Sequence, residues 1–195
     1  MRTLSLFALV SLTLALAGCP STGRTVVQRE PVSARNLYPM AAGYIWTYDI
    51  DTQTGMSSLG ITRVREIQGN LVGIAADGAE EHTYELREEG IFQPATQTWL
   101  LRDPIAVGQT WPSTHGRTAR IESVTETVDV TDGHYENCVL VAEEGGDAGL
   151  HLRTTYCQDV GPVIVESRQE LITSMTGGLT VTGRLRAHQQ GEEDE

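Results

Sequence analysis

The chain has 195 residues, 39% of them hydrophobic and 21% charged, with a formal net charge of −12 at neutral pH. All 14 basic residues are arginines, and so acidic a surface is repelled by phosphodiester backbones and anionic lipid, which excludes DNA and RNA as partners. A body of this length holds one domain with a sizeable core.

Residues 1–18 read as an export signal: Arg2 gives a positive start, and an uncharged apolar run from Leu4 to Leu16 follows. That run is too short for a hydrocarbon core, which takes ~20 helical residues. It ends in Leu16-Ala17-Gly18-Cys19, which resembles the lipobox of bacterial lipoproteins. The resemblance implies cleavage after Gly18 and a diacylglyceryl group on the Cys19 sulfur, with palmitate-type acyl chains. Two such chains give a stable anchor without a transmembrane helix, because each buried CH₂ contributes ~0.8 kcal/mol. Loss of Arg2 with the signal takes the mature charge to −12 − 1 = −13, so lipid rather than electrostatics holds this protein at a membrane. Pro20 is not the aspartate that retains many lipoproteins in the inner membrane of Gram-negative cells, so the expected location is the outer membrane of the bacterial envelope.

Residues 19–36 begin with the lipidated cysteine and continue as a polar stretch, PSTGRTVVQREPVSARN, expected to be a flexible tether. The folded domain is expected over 37–187 and an acidic tail over 188–195. Within the domain the hydrophobic period is two. In LTVTGRLRA, Leu179, Val181 and Leu185 point one way while Thr180, Thr182, Arg184 and Arg186 point the other. ITRVREI, HTYELR and TETVDV alternate similarly. QGN, ADGAE, TDGH, EEGGDAG and TGG punctuate these runs as hairpin turns, with Asp132-Gly133 and Gly177-Gly178 the sharpest candidates. The fold class is therefore all-β, an antiparallel meander of about ten strands, whether curved open sheet, barrel or sandwich.

PMAAGYIW, Pro39–Trp46, returns 65 positions later as PIAVGQTW, Pro104–Trp111. The octets suggest two tandem halves, 37–102 and 103–187. Trp46 and Trp111 each read as a large aromatic core residue following an entry turn. With Cys19 lipidated, Cys138 and Cys157 remain, and an oxidising compartment favours one disulfide between them. If they face each other across an antiparallel pair, paired positions sum to 295 and the turn centres between Asp147 and Ala148, inside EEGGDAG. In the first half Leu71 and Leu86 take the corresponding places, an expected hydrophobic clamp.

YPMAAGYIWTY, DPIAVGQTW, YENCVLV and YCQDVGPVIVE together resemble a group of bacterial secreted proteins and lipoproteins with a Tyr-Pro-Leu-like start, Gly and Trp-x-Tyr. Gly161-Pro162 and Pro112 depart from that pattern. The resemblance implies an all-β periplasmic module and supplies no catalytic residues.

Signals for chemistry are thin. No GxSxG elbow occurs, and Ser57, Ser58 and Ser113 stand in loop-like sequence. Glu80-Glu81, Glu88-Glu89 and Glu143-Glu144 read as solvated charge at turns. His82, His115, His134, His151 and His188 are scattered, without zinc spacing. Asp49 and Asp51 share a strand face, but Ca²⁺ takes six or more oxygens and nothing nearby completes the shell. No enzyme activity, metal or cofactor is expected. Two roles remain: a non-catalytic envelope module presenting its sheet to a protein partner, or a carrier holding a lipophilic small molecule in a curved sheet.

Overall fold

The computed structural model describes residues 31–146, 149–170 and 178–190. The export signal, Cys19, the first part of the tether, the turn at Asp147-Ala148 and Gly177 lie outside the described residues. The folded unit starts at Pro31.

Among the described residues, twelve strands follow one helical turn, α1 (Ala34–Leu37). The first six are β1 (Ile45–Thr52), β2 (Ser57–Gln68), β3 (Leu71–Ala76), β4 (His82–Arg87), β5 (Gly90–Gln93) and β6 (Thr98–Arg102). The second six are β7 (Thr110–Pro112), β8 (Arg117–Val130), β9 (Gly133–Gly145), β10 (Leu150–Cys157), β11 (Gly161–Gln169) and β12 (Leu179–Gln189). They form one antiparallel sheet in the order β6-β5-β4-β3-β2-β1-β12-β11-β10-β9-β8-β7. Each half is thus a six-strand meander, and β1 and β12 join the two at the centre. The edge strands β6 and β7 are linked by the Trp111 indole, whose Nε1–H donates to the Trp99 carbonyl at 3.0 Å. The sheet is nearly closed and barrel-like. Twelve strands replace the expected ten because β5 and β7, at four and three residues, are too short to show alternation.

The octets build the same turn twice. Tyr44 N donates to the Ala41 carbonyl, and Gln109 N to the Ala106 carbonyl. Gly43 (φ +72°) and Gly108 (φ +86°) take the third position, where a type II turn requires positive φ.

Several boundaries move. The tether was expected to reach residue 36, yet Ala34 and Leu37 are both 0% exposed. Ser33 caps α1 by accepting from Asn36 N, and Asp103 Oδ1 accepts from Ala34 N; one helical turn has no periodicity to betray it. At the other end β12 runs to Gln189, so His188 belongs to the sheet rather than to the tail. The turn expected at Asp132-Gly133 sits one residue earlier, on Thr131-Asp132, with Val130 opposite Gly133. Neither Asp132 nor Gly133 has positive φ, because Asp132 is drawn into contacts with β12 instead.

β9 and β10 pair as Leu152↔Glu143, Thr154↔Val141 and Tyr156↔Val139, each summing to 295. Cys138 and Cys157 are bonded one step further on, with Cα atoms 4.4 Å apart. The leucine clamp is not formed. β3 and β4 pair as Leu71↔Glu85 and Val72↔Tyr84, one residue off the expected register, which puts Leu71 and Leu86 on opposite faces. Leu71 is 38% exposed, and Val72, fully buried, faces Tyr84 in its place.

Candidate functional site

Four aromatic side chains gather where β1 meets the β10–β11 turn. Tyr38 packs edge-on against Trp46, Tyr44 stacks on it with centroids 4.5 Å apart, and Tyr38 lies 6.0 Å from Tyr156. Polar groups of two of them, and of the neighbouring Tyr48, donate to one stretch of backbone. Trp46 Nε1–H reaches the Val160 carbonyl at 2.7 Å, Tyr44 OH the Asp159 carbonyl at 3.1 Å, and Tyr48 OH the Pro162 carbonyl at 2.8 Å. Asp159 N donates in turn to Asn36 O. Burying an indole or phenol is favourable only when its donor is satisfied, and the β10–β11 turn supplies the carbonyls. Trp46 is 0% and Trp111 2% exposed, so both tryptophans sit in the core.

Beside this plug lies an apolar groove of about 300 Å³, open to solvent. β1 gives it Tyr48 and Ile50, β11 Val165 and Ser167, and β12 Val181 and Gly183. The placement follows from register: Ile50 pairs with Gly183, which pairs with Val165, and Val181 pairs with Ser167, so these side chains share one face. Tyr38, Thr62 and Pro162 complete the wall. Burial pushes the Tyr38 and Tyr48 hydroxyls up, so both phenols stay neutral, and no charged residue lines the space.

A polar cluster forms where the β8–β9 turn meets β12. Asp132 accepts from His188 N at 3.2 Å, from His188 Nδ1 at 2.7 Å and from the Tyr135 hydroxyl, while Asp132 N donates to the Leu185 carbonyl. Burial works against the Asp132 charge, but the hydrogen bonds from Tyr135 and His188 outweigh it and hold the carboxyl below its ordinary value. Tyr44 stacks on the His188 ring, joining this latch to the plug. The sequence marks Asp132 only as a turn residue and His188 only as a scattered histidine, because the two lie 56 positions apart and such a distance carries no spacing signal.

The remaining candidates are spoken for. Asp49 pairs with Arg186 at 2.8 Å and accepts from Thr131, and Asp51 accepts from Ser57. Among the described residues no group of three or more His, Cys, Asp or Glu is placed to hold a metal. Glu80, Glu81, Glu88, Glu89 and Glu144 are exposed. Glu143, expected as solvated turn charge, is instead in β9, accepting from Ser113 Oγ and from Arg117 Nε at 3.3 Å. Arg117 is 6% and Ser113 8% exposed. An alternating strand turns Glu143 inward whatever its neighbour Glu144 does.

The architecture has a counterpart among solved structures. An exported protein from Bacteroides fragilis with a YmcC-like fold matches at a TM-score of 0.51 and 12% identity, over 78% of this chain and 98% of that one. The fold is YmcC-like. A lipoprotein from Parabacteroides distasonis also matches, at a TM-score of 0.46 and 13% identity over the same shares. No protein-family model matches the chain, and no curated protein does. At 12% identity the first likeness concerns the fold alone.

Proposed function

We propose that the protein is a non-catalytic lipoprotein of the bacterial envelope, held through Cys19 at the outer membrane, whose sheet serves as a docking module for a protein partner. The observation that carries this reading is the filled interior. Leu37, Trp46, Trp111 and Ile91 are buried to 2% exposure or less, and Tyr38, Tyr44 and Trp46 are packed ring against ring. A carrier of whole lipids needs a hollow larger than the apolar ones beside the core, of about 300 and 560 Å³. What the chain leaves to others is its surface, where Met56 is 67% and Leu59 61% exposed near the β1–β2 turn.

Photo-crosslinking from Leu59 in intact cells, paired with native mass spectrometry of the extracted protein, tests the proposal. A discrete crosslinked partner and a protein mass free of bound phospholipid are expected. Co-purification of a stoichiometric phospholipid without any crosslinked protein would instead establish the carrier reading.

A further inference from the structure

We infer that the groove between β1, β11 and β12 is a binding site for a small uncharged amphiphile, a single apolar chain of about ten carbons carrying a hydroxyl or carbonyl head. The inference does not rest on the docking reading and could hold without it.

Gly183 carries the argument. Glycine in a strand interior weakens the strand and marks a bulge, a bend or a close approach. Gly183 meets none of the protein's own needs. Its φ is not in the left-handed region, and a Cβ built on it would stand 3.9 Å from the nearest atoms, Tyr48 Cβ and Cδ1 and the Val165 carbonyl, which is ordinary contact. Gly60, on the other side of β1, provides the contrast. There a Cβ would come within 2.5 Å of Ile50 Cδ1, so the space at Gly60 is used by the protein itself. Ile50 lies over Gly60, and the space at Gly183 opens into the groove.

The wall defines the ligand. A groove of about 300 Å³ is twice the ~150 Å³ that admits benzene in an apolar core, which sets the size at about ten carbons. No counter-ion lines the groove, so a carboxylate or ammonium seated in it would give up part of its hydration with nothing charged to replace it. The lining is apolar apart from the buried tyrosines and the hydroxyls of Thr62 and Ser167, which are half-buried. Thr62 stands in the row of Trp46 and Ser167 in the row of Val181 and Thr52, so they offer a hydroxyl at each end of the wall, and a neutral polar head meets the one at its own end.

The experiment uses the full chain carrying Cys19→Ala, in detergent-free buffer, with N-phenyl-1-naphthylamine as an uncharged fluorescent probe. One probe per chain is expected, displaced by 1-decanol and displaced ~10-fold or more less well by decanoate at neutral pH. Gly183→Ala adds one methyl where there is room, so it should melt as the parent does and bind decanol ~4-fold more weakly. Gly183→Val should weaken binding by roughly 10- to 50-fold, at ~0.8 kcal/mol for each displaced carbon. Failure of decanol to displace the probe, or unchanged decanol affinity in Gly183→Ala with parental melting, overturns the assignment.

Discussion

At Gly161 the backbone takes φ +110°, and a Cβ would stand 2.7 Å from the Trp46 indole nitrogen. Both the left-handed conformation and the approach of the indole to the Val160 carbonyl therefore require glycine. Gly161→Ala must strain the backbone and push Trp46 off its acceptor, leaving a buried donor unpaired. The expected loss is ~2–4 kcal/mol of unfolding free energy, read from urea denaturation. Gly183→Ala, with 3.9 Å of clearance, should lie within ~0.5 kcal/mol of the parent or above it. Equal effects at the two sites would mean that the indole contact does not organise the core. Neither constraint was legible in the sequence. Gly161 stood out only because Gly161-Pro162 broke a family pattern, and the indole that it admits lies more than a hundred residues away.

At the scale of elements, legibility depended on locality. The β9–β10 register could be read because two cysteines and a glycine-rich turn fall within one hairpin and agree on the sum 295. The β3–β4 register was misread because two leucines are chemically ordinary and a one-residue slip leaves the pattern plausible while exchanging the faces. The disulfide closes a loop of 19 residues, for which ~3 kcal/mol is expected. Cys138→Ser with Cys157→Ser should move the denaturation midpoint down accordingly, with little change in far-ultraviolet dichroism, since the ladder of β9 with β10 continues beyond the bridge.

The β8–β9 hairpin illustrates the opposite case, an element whose local turn preference is overridden by docking. Asp132 is held charged by Tyr135 and His188, with its carboxyl below the ordinary 3.8. A carboxylate with a depressed folded-state value contributes stability that is complete above its unfolded value and disappears as pH falls through the folded one. The wild-type chain should therefore lose stability below about pH 4, partly through this group. Asp132→Asn should be less stable at neutral pH, and the gap between the two proteins should narrow as pH falls towards 2. A gap that stays constant from pH 7 to 2 would show that the carboxylate charge does not hold the hairpin tip.

For the whole molecule, the doubled octet proved informative about architecture because each copy opens a six-strand meander with the same turn and the same buried tryptophan. The two tryptophans act differently. Trp46 Nε1 ties the centre of the sheet to the β10–β11 turn, whereas Trp111 Nε1 bridges the two edges through Trp99. No sequence pattern distinguishes a plug from a seam. That difference appears only when the sheet curves far enough to bring β6 beside β7.

An acidic chain, with a formal net charge of −12, is repelled by anionic lipid. Membrane association then rests on the acyl chains proposed at Cys19. Cys19→Ala should shift the protein from the membrane pellet to the soluble envelope fraction, with its melting temperature unchanged within about 2 °C, because the folded unit begins at Pro31 and includes none of the anchor. Washing membranes at high salt should not release the wild-type protein, since the attachment is hydrophobic and unscreened. If the Cys19→Ala protein stays in the pellet and high salt then removes it, the attachment is electrostatic or through a partner, and the lipobox reading fails while the fold stands.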